Sequence, residues 1–248
     1  MQMTTTTAKE IERKLRYATD GLFTFHNCDF MQETRFQDAY RYGMVNGRPD
    51  LSIEWRVHIA LWCAGQCAAL EGDFVECGVH TGILAGSIMT WLDFDLIKDK
   101  KYYLLDTFEG IPIEQISDRE ADLIEHMNRK YPIGDATYLM AKAKFKKWNN
   151  AKIIRGKVPD TLNQVESQRI AFLSIDMNVA SAEIAAAEYF WPKLQPGGMM
   201  LLDDYGWDAH IHQKLAFDDF AKNKSVNILS LPTGQGLIMK PNSLNKVA

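Results

Sequence analysis

The chain has 248 residues, 46% of them hydrophobic and 24% charged, an ordinary soluble composition with length enough for one large core. Its 28 basic and 32 acidic side chains leave a net charge of −4, too mild to predict a nucleic-acid or membrane partner. No apolar run approaches the roughly 18 residues of a membrane helix and nothing resembles a signal peptide. The expectation is a single cytoplasmic domain over residues 1–248.

Residues 1–10 are polar and threonine-rich and are expected to fray. From residue 8 to residue 48, aromatic and charged side chains, among them Phe36, Tyr40 and Tyr42, recur at loosely helical spacing without defining elements. Asp50 or Ser52 can cap a helix running to Leu70 with Ile53, Val57, Leu61, Ala64 and Ala68 on one face. Trp55, Arg56 and His58 share that helix and read as packing and solvated residues rather than ligand contacts. Residues 1–70 are thus expected to form an N-terminal helical cap. Of the four cysteines (Cys28, Cys63, Cys67 and Cys77), Cys63 and Cys67 lie one helical turn apart in an apolar segment. They read as buried thiols rather than as a metal or disulfide pair.

The chain is organised around GDFVECGVHTGILAGSIM, residues 72–89. Asp73 to Cys77 has the composition of a strand, and Gly78, Gly82 and Gly86 recur every four residues as helical spacing takes over. A strand that turns through glycine into a helix presents backbone N–H groups at the helix start, where the dipole favours an anion. A dinucleotide site wants G-x-G-x-x-G. Here the spacing is G-x-x-x-G-x-x-x-G, and Glu76, two residues before the first glycine, suits a diphosphate badly. That disfavours a nicotinamide-dependent oxidoreductase. S-adenosylmethionine fits better: a carboxylate beside the turn can hold its ammonium and helix N–H groups its carboxylate. An ordinary turn with a surface Glu is the alternative.

KYYLLDTF, residues 101–108, is a second buried strand ending at Asp106, where one carboxylate can accept both protons of a ribose diol. Asp106 lies 28 residues past Gly78, further than the spacing of about 20 in the dinucleotide fingerprint. Residues 109–150 form a charged, helix-prone insertion of a length that suggests a lid or substrate wall. Its KAKFKK run reads as a solvated helix face. KIIRG (152–156) is a third strand, with a short helix following through Leu162, and RIAFLSID (169–176) is a fourth strand ending at Asp176. A helix spans Ser181 to Leu194, and PGGMMLLDDYG makes a fifth strand ending at Asp203 and Asp204. A helix through Asp218 to Phe220 leads to VNILSL and GLIMK, an expected antiparallel hairpin. The whole describes a doubly wound, mostly parallel α/β sheet of Rossmann-like type with an antiparallel last strand.

Asp176, Asp203 and Asp204 end strands at the carboxyl edge of this sheet, the edge that also carries Glu76 and Asp106 and on which ligands bind in open α/β sheets. Strand-end acids so close repel one another unless a cation is shared, and oxygen-only ligands point to Mg²⁺ or another hard divalent cation. One of the paired aspartates could instead cap the next helix. His210 and His212, about 200° apart on a helix, cannot both face the cleft and read as surface or packing residues, with His210 an outside candidate for a role.

WRVHIALW, GDFVECGVHTG, LLDTFEGIP, PDTL, SIDMN, YFWPKLQPGGMMLLDDYG and AFDDF, in this order between Trp55 and Lys240, resemble the macrocin O-methyltransferase family. The resemblance implies a class I methyltransferase with a seven-stranded sheet that methylates sugar hydroxyls using S-adenosylmethionine and a divalent metal. It implies a small-molecule sugar or glycoside acceptor and a homo-oligomer. It places Glu76, Gly78 and Asp106 on the cofactor, and Asp176, Asp203 and Asp204 on the metal; Thr81, Gly82, Thr107 and Asp176 complete the candidate cofactor set. Where the family carries Asp-Gly-Asp, with the second aspartate a candidate general base, this chain reads Asp176-Met177-Asn178, and an amide cannot take a proton. The candidate catalytic residues are Asp176, Asn178 and His80. A metal alone, His80 or Asp208 can replace the base, the acceptor can differ, or the protein is a cofactor-binding homologue without turnover.

Overall fold

The computed structural model describes residues 15–45, 50–117, 120–121, 128 and 133–242. The expected fraying of residues 1–10 lies outside them. Near the N-terminus, β1 (Tyr17–Thr19) and β2 (Leu22–Thr24) form an antiparallel hairpin. Its two-residue turn, Asp20-Gly21, holds both residues at positive φ (51° and 70°), the combination that matches the twist of a tight hairpin. The sequence reading, which gave this region only loose helical spacing, missed it. Helices α1 (Thr34–Met44) and α2 (Glu54–Cys67) follow.

Neither expected cap serves α2. Asp50 Oδ1 accepts the Ser52 N–H at 2.8 Å and the Tyr40 hydroxyl, closing a local turn. Ser52 sits at φ 53° with its carbonyl on Tyr17 and Thr19 of the hairpin. The two residues therefore bend the chain so that the hairpin packs on the helix start. Ile53 is the N-cap instead.

The main sheet comprises β3 (Asp73–Cys77), β4 (Tyr102–Asp106), β5 (Ala151–Arg155), β6 (Ile170–Ile175), β7 (Leu194–Leu202), β8 (Leu229–Ser230) and β9 (Gly236–Met239). Their order is β5-β4-β3-β6-β7-β9-β8, parallel from β5 to β7, with β9 antiparallel to both of its neighbours. The expected hairpin is present as β8–β9, pairing Leu229 with Leu237 and Ser230 with Gly236. The chain moves outward from β3 to β5 and then crosses back to β6, so a crevice opens beyond the carboxyl ends of β3 and β6.

Every residue of β6 is buried, as a strand covered on both faces requires. Alternate side chains feed two cores. Phe74, Leu104 and Phe172 pack under α1, α2 and α3 (Ile83–Trp91), joined by Phe145 of α4 (Asp135–Phe145). Val75, Leu105 and Leu173 pack under α5 (Ala180–Phe190) and α6 (Ile211–Lys224). Helices α1 and α3 cross tightly: a Cβ on Gly43 would lie 2.1 Å from Ser87 Oγ and 2.5 Å from the Ile83 carbonyl oxygen. The four cysteines are free thiols, and burial pushes Cys63 and Cys67 up to about 12. The KAKFKK run departs from a plain solvated face. Lys144 is half-buried, its Nζ donating to the Gly43 carbonyl at 2.7 Å, and burial lowers it to about 8. No described helix is long and apolar enough to cross a membrane.

Candidate functional site

Beyond the crevice lies a cavity of about 510 Å³ reached by residues from all five parallel strand ends. That volume falls in the usual range for small-molecule sites. One end is built by the β3–α3 turn. Glu76 lines the cavity at 2% exposure, and its Oε2 accepts the hydroxyl of buried Tyr102 at 3.0 Å. Burial pushes the Glu76 carboxyl up to about 8, so it is held protonated at neutral pH until a cation is placed beside it.

Gly78 follows at φ 93°, and a Cβ there would stand 1.7 Å from the Asp176 carbonyl oxygen. The turn continues through His80, at φ 48°, whose N–H donates to Asp106 Oδ2 at 2.7 Å. The other oxygen, Oδ1, accepts the Phe108 N–H at 2.6 Å. Each carboxylate oxygen has two lone pairs, so Asp106 keeps one on each for a pair of vicinal hydroxyls. Thr81 is buried and Thr107 half-buried, both on the cavity wall; the Thr107 hydroxyl donates to the Gly110 carbonyl. Gly82 is not among the lining residues. It N-caps α3 at φ 75°, and a Cβ would lie 2.5 Å from the Phe145 ring, so packing rather than ligand approach requires glycine there.

The other end is acidic. Asp176, Asp203 and Asp204 follow directly on β6 and β7, and each offers an oxygen within 4.8 Å of the others'. Asp203 Oδ1 accepts Gln235 Nε2 at 3.1 Å, which ties it to the β8–β9 turn. Burial and the neighbouring carboxylates raise Asp176 well above the usual carboxylate range and Asp204 to about 7. Into this cluster reaches Arg56 of α2. Its NH1 donates to Asp203 Oδ2 and lies 3.5 Å from Asp204 Oδ1, while Nε and NH2 grip Asp20 at 2.8 and 3.2 Å. Burial lowers the guanidinium and the three carboxylates raise it further, so it stays charged.

Asn178, at φ 61°, turns its Nδ2 onto Asp176 Oδ1 at 3.1 Å, so its side chain orients that carboxylate. His80 lines the cavity; Asp208 is exposed and does not. His210, read from the sequence as a surface or packing residue and an outside candidate for a role, lines it, with Nε2 3.8 Å from Asp204 Oδ2. Burial and Arg56 lower its imidazole, leaving it neutral.

Arg56, Asp20 and Glu183 were missed. Arg56 falls on one helical stripe with buried Ala60, Cys63 and Cys67, a charge at an apolar position that could have marked it. Asp20 stands in the Asp-Gly pair that signals a hairpin. Glu183 of α5 accepts the Met177 and Asn178 N–H groups at 3.0 and 2.9 Å and so fixes the loop that carries Asp176. Burial raises its carboxyl to about 8. This carboxyl therefore keeps a proton in the native protein that it has lost in the unfolded chain between about pH 4.5 and 8, and its contribution to stability falls as pH rises through that window. Glu183→Gln keeps an accepting oxygen and cannot ionise. It is expected to flatten the decline by about 1 kcal/mol per pH unit in urea midpoints, an effect that parallel pH profiles would refute.

A model of the macrocin-O-methyltransferase (TylF) family matches residues 64–229, which hold β3 to β7, the glycine turn and the five site carboxyl groups of Glu76, Asp106, Asp176, Asp203 and Asp204. The chain belongs to the macrocin O-methyltransferase family. Among curated relatives, a tetracenomycin-C 4′-O-methyltransferase of Streptomyces olivaceus, acting on the 8-demethyl-8-(2,3-dimethoxy-α-L-rhamnosyl) compound, is 27% identical over 56% of this chain and 55% of its own. The mycinamicin III 3″-O-methyltransferase of Micromonospora griseorubida is 25% identical over 55% of this chain and 56% of its own. The chain thus spans about half the length of these relatives. Among solved structures, the O-methyltransferase NovP superposes with a TM-score of 0.66 at 19% identity, covering 83% of this chain and 88% of that one. The calicheamicin methyltransferase CalS11 does so at 0.59 and 13%, covering 96% and 99%. These likenesses show the fold of this macrocin O-methyltransferase family member, a class I methyltransferase sheet.

Proposed function

We propose that the protein transfers the methyl group of S-adenosylmethionine to a hydroxyl of a sugar or glycosylated small molecule, assisted by a hard divalent ion. The observation that carries this is the sharing of one cavity by two different sites: Glu76, Gly78 and Asp106 at one end, Asp176, Asp203 and Asp204 at the other. The family and the sugar O-methyltransferases among its curated relatives support the reading.

The cofactor brings a sulfonium reactive enough that the protein's main task is to align an acceptor oxygen with the methyl carbon. Asp106 would grip the ribose diol through its remaining lone pairs, Gly78 lets the backbone approach closely, and Glu76 would ionise against the ammonium. The three aspartates form a hard, oxygen-only donor set, and two of them, Asp203 and Asp204, already seat one cation, the Arg56 guanidinium, so the residues fit a divalent ion of the Mg²⁺ type. Such an ion supplies orientation of vicinal acceptor oxygens and a lowered hydroxyl pKa. Asn178 holds Asp176 and cannot accept the proton, which leaves Nε2 of His210, neutral and beside Asp204, and the imidazole of His80 as acceptors on the cavity wall. Leu51, Ile111, Pro112 and Ile133, from the segment before α2 and from the stretch after β4, would shield the reacting oxygen from water.

Calorimetric titration with S-adenosylmethionine and with NAD, followed by methyl transfer to a panel of glycosides, tests the proposal. Binding of the first alone, with turnover on at least one glycoside, is expected. Binding of NAD instead would overturn it, and cofactor binding without turnover that Asn178→Asp restores would favour the non-catalytic reading. In the same titration Asp106→Asn is expected to weaken S-adenosylmethionine by about tenfold to a hundredfold, the worth of one or two charge-assisted hydrogen bonds. An amide also has to point its NH₂ at either the His80 or the Phe108 N–H, both now facing oxygen. Wild-type affinity in that variant would remove Asp106 from the ribose site.

A further inference from the structure

Arg56 is bound from two sides. On one, Asp20 at the hairpin turn takes Nε and NH2, and the Trp207 ring lies under the guanidinium with its centroid 5.1 Å from Cζ. On the other, NH1 sits on Asp203 Oδ2 and beside Asp204 Oδ1, two of the three carboxylates that converge to within 4.8 Å. Gly21 makes the first seat possible, because a Cβ there would lie 2.8 Å from the Trp207 ring. Around this cluster, among the described residues, one permanent cation faces four carboxylates, those of Asp20, Asp176, Asp203 and Asp204. A guanidinium and a doubly charged ion on the same two carboxylates repel at close range. The Asp20–Trp207 seat offers Arg56 a place to remain when NH1 gives way.

We propose that Arg56 is a built-in competitor for the divalent cation, occupying the Asp203–Asp204 pair until an ion displaces NH1, while Asp20 draws the guanidinium back towards the hairpin. Metal affinity is thereby set by the N-terminal hairpin, which contributes no metal ligand of its own. The inference rests on the metal assignment made above and adds to it a residue that tunes metal binding from outside the donor set.

The two sides of the arginine predict opposite effects. Mn²⁺ serves as the probe, its binding to the 248-residue chain followed by electron paramagnetic resonance and calorimetry, with S-adenosylmethionine affinity and thermal midpoint recorded alongside. Arg56→Met is expected to bind Mn²⁺ at least tenfold more tightly than wild type. Asp20→Asn, which weakens the opposing seat and lets the guanidinium lean on Asp203 and Asp204, is expected to bind it several-fold more weakly. A purely structural role for Arg56 would weaken Mn²⁺ binding in both variants, so an Arg56→Met protein that binds Mn²⁺ no better than wild type overturns the competition while leaving the metal assignment standing. If neither wild type nor Arg56→Met binds Mn²⁺ at millimolar concentration, both fall together. Should Arg56→Met fail to fold, Asp20→Asn decides: weaker Mn²⁺ binding with unchanged cofactor affinity supports the competition, and equal or tighter binding overturns it.

Discussion

Gly78→Ala is expected to cost the protein a large share of its stability and all of its cofactor binding. Gly78 stands at φ 93°, a conformation that L side chains rarely adopt, and its missing Cβ would lie 1.7 Å from the carbonyl oxygen of Asp176 and 2.4 Å from its carbon. Both are backbone atoms of the neighbouring strand end, held by the Asp176 N–H on the Cys77 carbonyl at 2.8 Å. No rotamer change relieves such a contact, so β3 and β6 have to part where the crevice opens. A disfavoured backbone conformation costs about 1–3 kcal/mol and overpacking about as much again, against total stabilities of about 5–15 kcal/mol. The expected loss is about 4 kcal/mol in urea unfolding, with no S-adenosylmethionine binding detectable in whatever protein folds. A variant within 1 kcal/mol of wild type would show that the turn can open without the sheet.

Much of this architecture was readable because the strands are continuous apolar runs whose ends are marked by acids. Phe74 to Cys77, Leu104 to Asp106 and Ile170 to Asp176 need no tertiary information to be recognised as buried parallel strands, and parallel strands put their carboxyl ends on one edge. The convergence of Asp176, Asp203 and Asp204 followed from that edge alone. What the sequence concealed depends on contacts between distant segments. Arg56 and Asp20 lie 36 residues apart, and Arg56 and Asp203 147 apart. A solvated arginine and a buried one look alike in sequence, apart from the apolar stripe on which this one falls. The hairpin went unread for a different reason: three-residue strands carry too little alternation to register, and the Asp-Gly turn alone signalled them. Gly82 shows a contact hidden in the other direction. Its place in the glycine series suggested a ligand, whereas the ring that fills the space above it comes from Phe145, 63 positions later and inside the insertion.

Asp203→Ala is expected to lower kcat/KM for methyl transfer by at least about a hundredfold while leaving S-adenosylmethionine affinity within about twofold, a separation that corresponds to some 3 kcal/mol lost in the transition state alone. The split follows from position. Asp203 comes from the end of β7 and meets Asp176, Asp204 and Arg56, whereas the residues assigned to the nucleoside come from the ends of β3 and β4. Its removal withdraws one of three oxygen donors, leaves Gln235 Nε2 without its carboxylate, and hands Arg56 to Asp204 and Asp20. The acceptor is then neither oriented nor acidified, although the sulfonium remains in place. Titrating the variant with the cofactor and assaying it with and without EDTA provides the check. Wild-type activity in Asp203→Ala, unmoved by the chelator, would mean that the acidic end of the cavity holds the acceptor by hydrogen bonds without a metal. The loss of cofactor binding together with turnover would mean instead that the two ends of the cavity fold as one unit and cannot be assigned separate tasks.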